Sequence, residues 1–145
     1  MKTYQIDKYH EWRWQNLVGP LVEKDGSDRM LLDLGCNAGW YMRKAQKRGY
    51  RTLGVEYDQE YIDQAPAGLE ITQADINYIR PHCAYLTLLL CVHYHQTLEQ
   101  VEALFHNLTY STAYLLVMGR TNVDGRTKTS ARKEHLMSRV GAWDV

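Results

Sequence analysis

The chain has no net charge. Its 17 lysines and arginines are balanced by 17 aspartates and glutamates, so no global field draws it toward nucleic acid or an anionic membrane. It also lacks a long hydrophobic run. The longest, Leu86–Val92, is interrupted by Thr87 and falls far short of the roughly 18 apolar residues of a membrane span. No early apolar stretch resembles a secretory leader. Cysteine is scarce: Cys36, Cys83 and Cys91 cannot all pair and have no Cys-x-x-Cys spacing, so they are read as reduced thiols in a cytoplasmic protein. Repeats and low-complexity tracts are absent. What remains is 145 residues, 45% hydrophobic and 23% charged, the profile of one globular domain with a core.

The apolar segments alternate in character. After an aromatic-rich N-terminal stretch (residues 1–28), with a helix expected over Lys8–Val18 and a stop at Gly19-Pro20, strands are predicted at Met30–Leu34, Thr52–Glu56, Leu69–Gln73, Tyr85–Val92 and Ala113–Met118. Helices are predicted at Trp40–Arg48, Gln59–Gln64 and Leu98–Leu108. In the last, Leu98, Val101, Leu104, Phe105 and Leu108 recur at spacings of three and four. Near-continuous apolar strands alternating with helices predict an α/β fold with a mainly parallel sheet covered on both faces. This core spans residues 29–118. A polar tail, 119–145, carries one expected helix at Ser130–Val140 and no further strand.

The most informative stretch is Leu32-Asp33-Leu34-Gly35-Cys36-Asn37-Ala38-Gly39, answered 21 positions after Gly35 by Glu56. A strand ending in a small-residue turn lets backbone approach a ligand, and an acid at the tip of the next strand suits a ribose hydroxyl. The dinucleotide fingerprint Gly-x-Gly-x-x-Gly is not met, because Asn37 and Trp40 stand at its second and third glycine positions. A third acid, Asp75, follows the third strand.

These residues resemble the cofactor site of class I S-adenosylmethionine-dependent methyltransferases, whose pattern is Asp/Glu-x-Gly-x-Gly-x-Gly followed by a second acid. The resemblance covers Met30–Met118. It implies a Rossmann-like doubly wound sheet in the order 3-2-1-4-5, with S-adenosylmethionine as methyl donor and S-adenosylhomocysteine as product. It also implies that Asp33 orders the turn and meets the methionine amino group, directly or through water. Gly35 and Gly39 match the outer glycines and Asn37 replaces the middle one, asparagine tolerating positive φ better than most residues. Glu56 is implied to hold the ribose hydroxyls and Tyr57 to lie against adenine. Asp75 is implied to accept from the adenine amine, beside the Ile76 amide. Asp58 is read as a helix N-cap.

The family places substrate-facing residues after the fourth strand, here Val92-His93-Tyr94-His95-Gln96. His93 and His95 are the candidate catalytic bases or acceptor-positioning groups. Tyr4, Tyr9, His10 and Arg13 are a second acceptor-facing set, whereas Trp12 and Trp14 are expected to anchor the N-terminal helix to the sheet. His82, Cys83, Cys91, His93 and His95 are metal-ligand types, but apart from His-x-His no familiar spacing occurs, and no metal is expected. Relative to the family, the sixth and seventh strands are missing, which leaves an apolar fifth strand at an edge. Covering of that edge by the tail or by a second copy in a homodimer is expected. The acceptor, a small molecule, protein or RNA, is not specified. A non-catalytic S-adenosylmethionine-binding module or partner subunit, and another nucleoside-binding Rossmann-like protein, are the alternative readings.

Overall fold

The computed structural model describes residues 3–4, 6, 8–79, 83–90 and 96–118. Five strands form one sheet: β1 (Met30–Leu34), β2 (Arg51–Glu56), β3 (Ile71–Gln73), β4 (Ala84–Leu90) and β5 (Thr112–Met118). Their spatial order is β3-β2-β1-β4-β5, and all four pairings are parallel. The order reverses at β1. In such sheets the crevice beyond the strands' carboxyl ends, at the reversal, is where ligands bind.

Burial on both faces explains the unbroken apolar strands. Along β1, Leu31 joins a core with Leu86, Leu88, Met42, Ala45 and Trp14. Leu32 and Leu34 point the other way, into a core with Leu89, Val101, Leu104, Phe105 and Leu108. The first core is covered by α2 (Trp40–Gln46) and the N-terminal helix, the second by α4 (Leu98–Thr109). Each fully buried leucine or phenylalanine contributes roughly 1.5–3 kcal/mol of apolar transfer. α4 begins with a capping box: the Thr97 side chain accepts from the Gln100 amide at 3.2 Å, and Gln100 Oε1 accepts from the Thr97 amide at 2.8 Å.

The sequence-based boundaries need several corrections. The N-terminal helix is α-helical only over Lys8–Arg13 (α1) and widens to a π-helix over Trp14–Val18. There the Gly19 amide reaches back five residues to the Trp14 carbonyl at 2.7 Å. α2 stops at Gln46, where Lys47–Gly49 form a turn, and α3 (Gln59–Ile62) is a single turn. β3 starts two residues late, at Ile71. Trp12 is not an anchor: it is 54% exposed, whereas Trp14 is 7% exposed and packs in the core. The two lie on opposite sides of one helix. β5 is a sheet edge among the described residues, with Tyr114 exposed. Cys36 and Cys83 are unbridged. Cys91, Val92 and the expected helix at Ser130–Val140 lie outside the described residues. No helix among those described is long and apolar enough to cross a membrane.

Candidate cofactor cleft

Beyond the carboxyl ends of β1, β2 and β3 lies a cleft of about 1050 Å³, at the upper end of the size range of small-molecule sites. Its floor is the turn between β1 and α2. Gly35, Asn37 and Gly39 are all left-handed, with φ of 77°, 49° and 74°. Glycine takes this region freely and asparagine tolerates it, so Asn37 serves in place of a middle glycine. Gly39 is doubly constrained, because a Cβ there would stand 2.5 Å from Leu69 Cδ1.

The turn is tied to β2. The Val55 carbonyl accepts from the amides of Gly35 (2.7 Å) and Cys36 (3.1 Å). Glu56 completes the clasp: Oε2 accepts from the Asn37 amide and Oε1 from the Asp58 amide, each at 2.9 Å. Asp58 is the N-cap of α3, its carboxylate accepting from the Glu60 amide at 3.0 Å. Gly54, opposite Asp33 in the β1–β2 register, lets Cys36 and Met42 close in, since a Cβ there would lie 2.6 Å from Cys36 Sγ. No local pattern assigns Gly54 this role; only three-dimensional neighbours reveal it.

Asp33 is 2% exposed, and its Oδ2 has no hydrogen-bond partner among the described residues. Burial, reinforced by the negative charge of Glu56, pushes its carboxyl up to about 7. Burial also raises the Cys36 thiol, with Asp33 and Glu56 adding to the effect. Tyr57 stands 76% exposed at the mouth. Asp75, past β3, accepts from the Asn77 amide at 2.9 Å and from Asn77 Nδ2 at 2.7 Å. Asn77 also donates to Gln96 Oε1, joining this corner to the start of α4. Ile76 is buried in the α4-side core and reaches the cleft wall. Asn77 was not singled out in the sequence, and Gln96 was named only as the end of the segment after the fourth strand; the short Asp75-Ile76-Asn77 turn was the available signal.

The opposite wall comes from the N-terminal segment. Tyr4 Oη and His10 Nε2 are 2.5 Å apart. His10 stacks on Tyr41 at 5.9 Å and meets Trp40 edge-on at 5.5 Å. Tyr4 is held by its amide to Gln64 Oε1 at 2.8 Å and by its ring against Tyr61. Tyr4, His10 and Arg13 line the cleft as expected, while Tyr9 is exposed and does not. All eight residues of the expected cofactor set except Gly39 line the cleft; Gly39 is buried beneath, closing the turn onto α2. His82, His93 and His95 lie outside the described residues. Within those described, no group of three or more His, Cys, Asp or Glu is arranged to hold a metal.

Residues 32–110, more than half of the chain, match the family described as methyltransferase domain. The chain belongs to that family. No curated protein matches it. Among solved structures, it resembles the magnesium protoporphyrin IX methyltransferase of Synechocystis PCC 6803, crystallised with S-adenosylmethionine. That match has TM-score 0.71 and 14% identity over 98% of this chain and 75% of the other. A methyltransferase from Archaeoglobus fulgidus aligns with TM-score 0.64 and 15% identity over 94% of this chain and 74% of the other. One from Mesorhizobium loti aligns with TM-score 0.58 and 22% identity over 69% and 48%. These likenesses establish the fold. The chain spans about half the length of the Mesorhizobium loti structure and of a similar one from Listeria monocytogenes.

Proposed function

We propose that this methyltransferase-family chain binds S-adenosylmethionine in the cleft and transfers its methyl group to an oxygen or nitrogen acceptor. The observation that carries the reading is the Asp33–turn–Glu56 unit. It offers a buried carboxylate oxygen without a partner, a left-handed backbone turn open to a ligand, and a second carboxylate fixed by two amides. The donor set fits the group. Each Glu56 oxygen has lone-pair capacity beyond its amide bond, enough to accept from the two ribose hydroxyls. Asp33 faces the methionine ammonium, and Gly35, Asn37 and Gly39 keep the floor clear. Tyr57 lies against adenine, and Asp75 accepts from the adenine amine beside the Ile76 amide.

When bound, S-adenosylmethionine supplies a methyl group already activated on a sulfonium. The protein's share is therefore alignment, exclusion of water and removal of the acceptor's proton. His93 and His95 are proposed to position the acceptor or take that proton, and Tyr4, His10 and Arg13 line the N-terminal wall of the cleft. The acceptor is a small molecule, a protein side chain or an RNA nucleotide.

Calorimetry tests the donor. S-adenosylmethionine and S-adenosylhomocysteine are expected to bind, NAD is not, and Glu56→Ala is expected to weaken binding by about 100-fold, the loss of one to two charge-assisted hydrogen bonds. Failure of both methionine nucleosides to bind wild type sinks the reading. S-adenosylhomocysteine formation over pools of small molecules, proteins and RNA then identifies the acceptor class. Undiminished turnover in the His93→Ala/His95→Ala double variant removes their proposed role.

A further inference from the structure

We infer that nucleoside binding in this cleft expels one proton from Asp33, coupling cofactor affinity to pH through that side chain. This rests on the proposed function and adds what the Asp33–Glu56 pair does on binding. Two carboxylates share the cleft floor in unequal settings. Glu56 accepts a backbone N–H on each oxygen. Asp33 is sunk in the sheet between Gly54 of β2 and Leu88 of β4, neither of which brings a side-chain donor, and its Oδ2 accepts nothing. A carboxyl buried without a partner for its oxygen favours the neutral acid. The free protein therefore holds the proton on Asp33, consistent with its raised pKa of about 7.

The remaining ionisable groups of the cleft come from the turn, α2, the loops after β2 and β3, α3 and the N-terminal segment, whereas β4 and the start of α4 line it with Leu90, Gln96, Thr97 and Gln100. Tyr57 stands in the loop after β2. Cys36 is in the turn, Tyr41 in α2, Asp58 and Tyr61 at α3, and Asp75 after β3. The N-terminal segment brings Tyr4, His10 and Arg13. Among the described residues, Glu56 is the one whose charge acts on Asp33. An arriving ammonium reverses that balance, because an adjacent cation favours the carboxylate. The exchange balances as neutral carboxylic acid plus ligand ammonium going to a carboxylate–ammonium pair plus one proton released to solvent.

Titration calorimetry with S-adenosylhomocysteine in two buffers of different ionisation enthalpy reads the proton directly. The expected result is about one proton released near pH 6, and affinity roughly 25-fold tighter at about pH 7.5 than at about pH 5.5. Carbon-13 NMR of the aspartate carboxyls, with Asp33 assigned by its absence in Asp33→Asn, is expected to show a midpoint near 7 in the free protein. That midpoint should fall into the ordinary carboxylate range on saturation. Binding without proton release, or a free-protein midpoint already in the ordinary range, overturns the inference and leaves the cofactor reading intact. Absence of binding at every pH overturns the cofactor reading itself, and the inference with it.

Discussion

The two walls of the cleft are built on different principles. The wall from β1, the turn and β2 is held by backbone: the Val55 carbonyl and the Glu56 carboxylate capture amides of the turn and of the loop after β2. The N-terminal wall is held by rings, with Tyr4, His10, Trp40, Tyr41 and Tyr61 in edge and stacked contacts. A backbone-clasped wall tolerates side-chain change where φ and space permit. A ring-packed wall depends on which aromatics face inward. Its stability is therefore concentrated in a few large side chains.

The sharpest separation comes from the two tryptophans of the N-terminal helix. Trp14→Ala removes a core side chain and is expected to cost about 3–5 kcal/mol. Trp12→Ala, on the exposed side, is expected to change stability by less than about 0.5 kcal/mol. Chemical denaturation of both variants measures the contrast, and equal losses would break the assignment of the inward face.

On the backbone wall, Gly39→Val combines a left-handed φ of 74° with a Cβ 2.5 Å from Leu69 Cδ1. A loss of about 2–4 kcal/mol is expected, again by denaturant midpoint.

Asp33 gives a pH signature of the same wall. Its folded pKa, about 7, lies above the unfolded value of about 3.9. The folded state thus binds more protons between these values. Stability of the ligand-free protein should fall as pH rises through that window, by up to about 1.4 kcal/mol per pH unit, and level off above it. Asp33→Asn should flatten this slope in thermal melts. A wild-type slope of the opposite sign in this window would show that Asp33 is not buried as described.

The smallest effect belongs to Asn37. Asn37→Gly keeps the amide that binds Glu56 and relieves a positive φ, so a change within about 0.5 kcal/mol is expected. Asn37→Val should cost about 1–2 kcal/mol, because a β-branched residue resists that conformation. Equal behaviour of the two variants would mean the turn adapts rather than constrains.

Much of the β1–β2 wall was legible in the chain. The strand at Met30–Leu34, the N-cap at Asp58 and the left-handed tolerance of Asn37 follow from local preference and spacing, and the order 3-2-1-4-5 was implied by the family resemblance. The N-terminal wall was only half legible. Tyr4, His10 and Arg13 were named as a set, but which of Trp12 and Trp14 turns inward depends on the helix's rotation against α2. That rotation changes where the α-helix widens at Trp14. Asn77 and Gln96 meet only because the end of β3 and the start of α4 converge.

By itself, the sequence determined the strands, their parallel arrangement and the presence of an acid at or near the end of each of three strands. Hydrophobic periodicity and turn preference act over a few residues and need no distant partner. Tertiary structure alone decided that Glu56 is bound on both oxygens while Asp33, sealed between Gly54 and Leu88, has an oxygen with no partner. Burial and hydrogen-bond supply are set by neighbours far along the chain, which no local pattern carries.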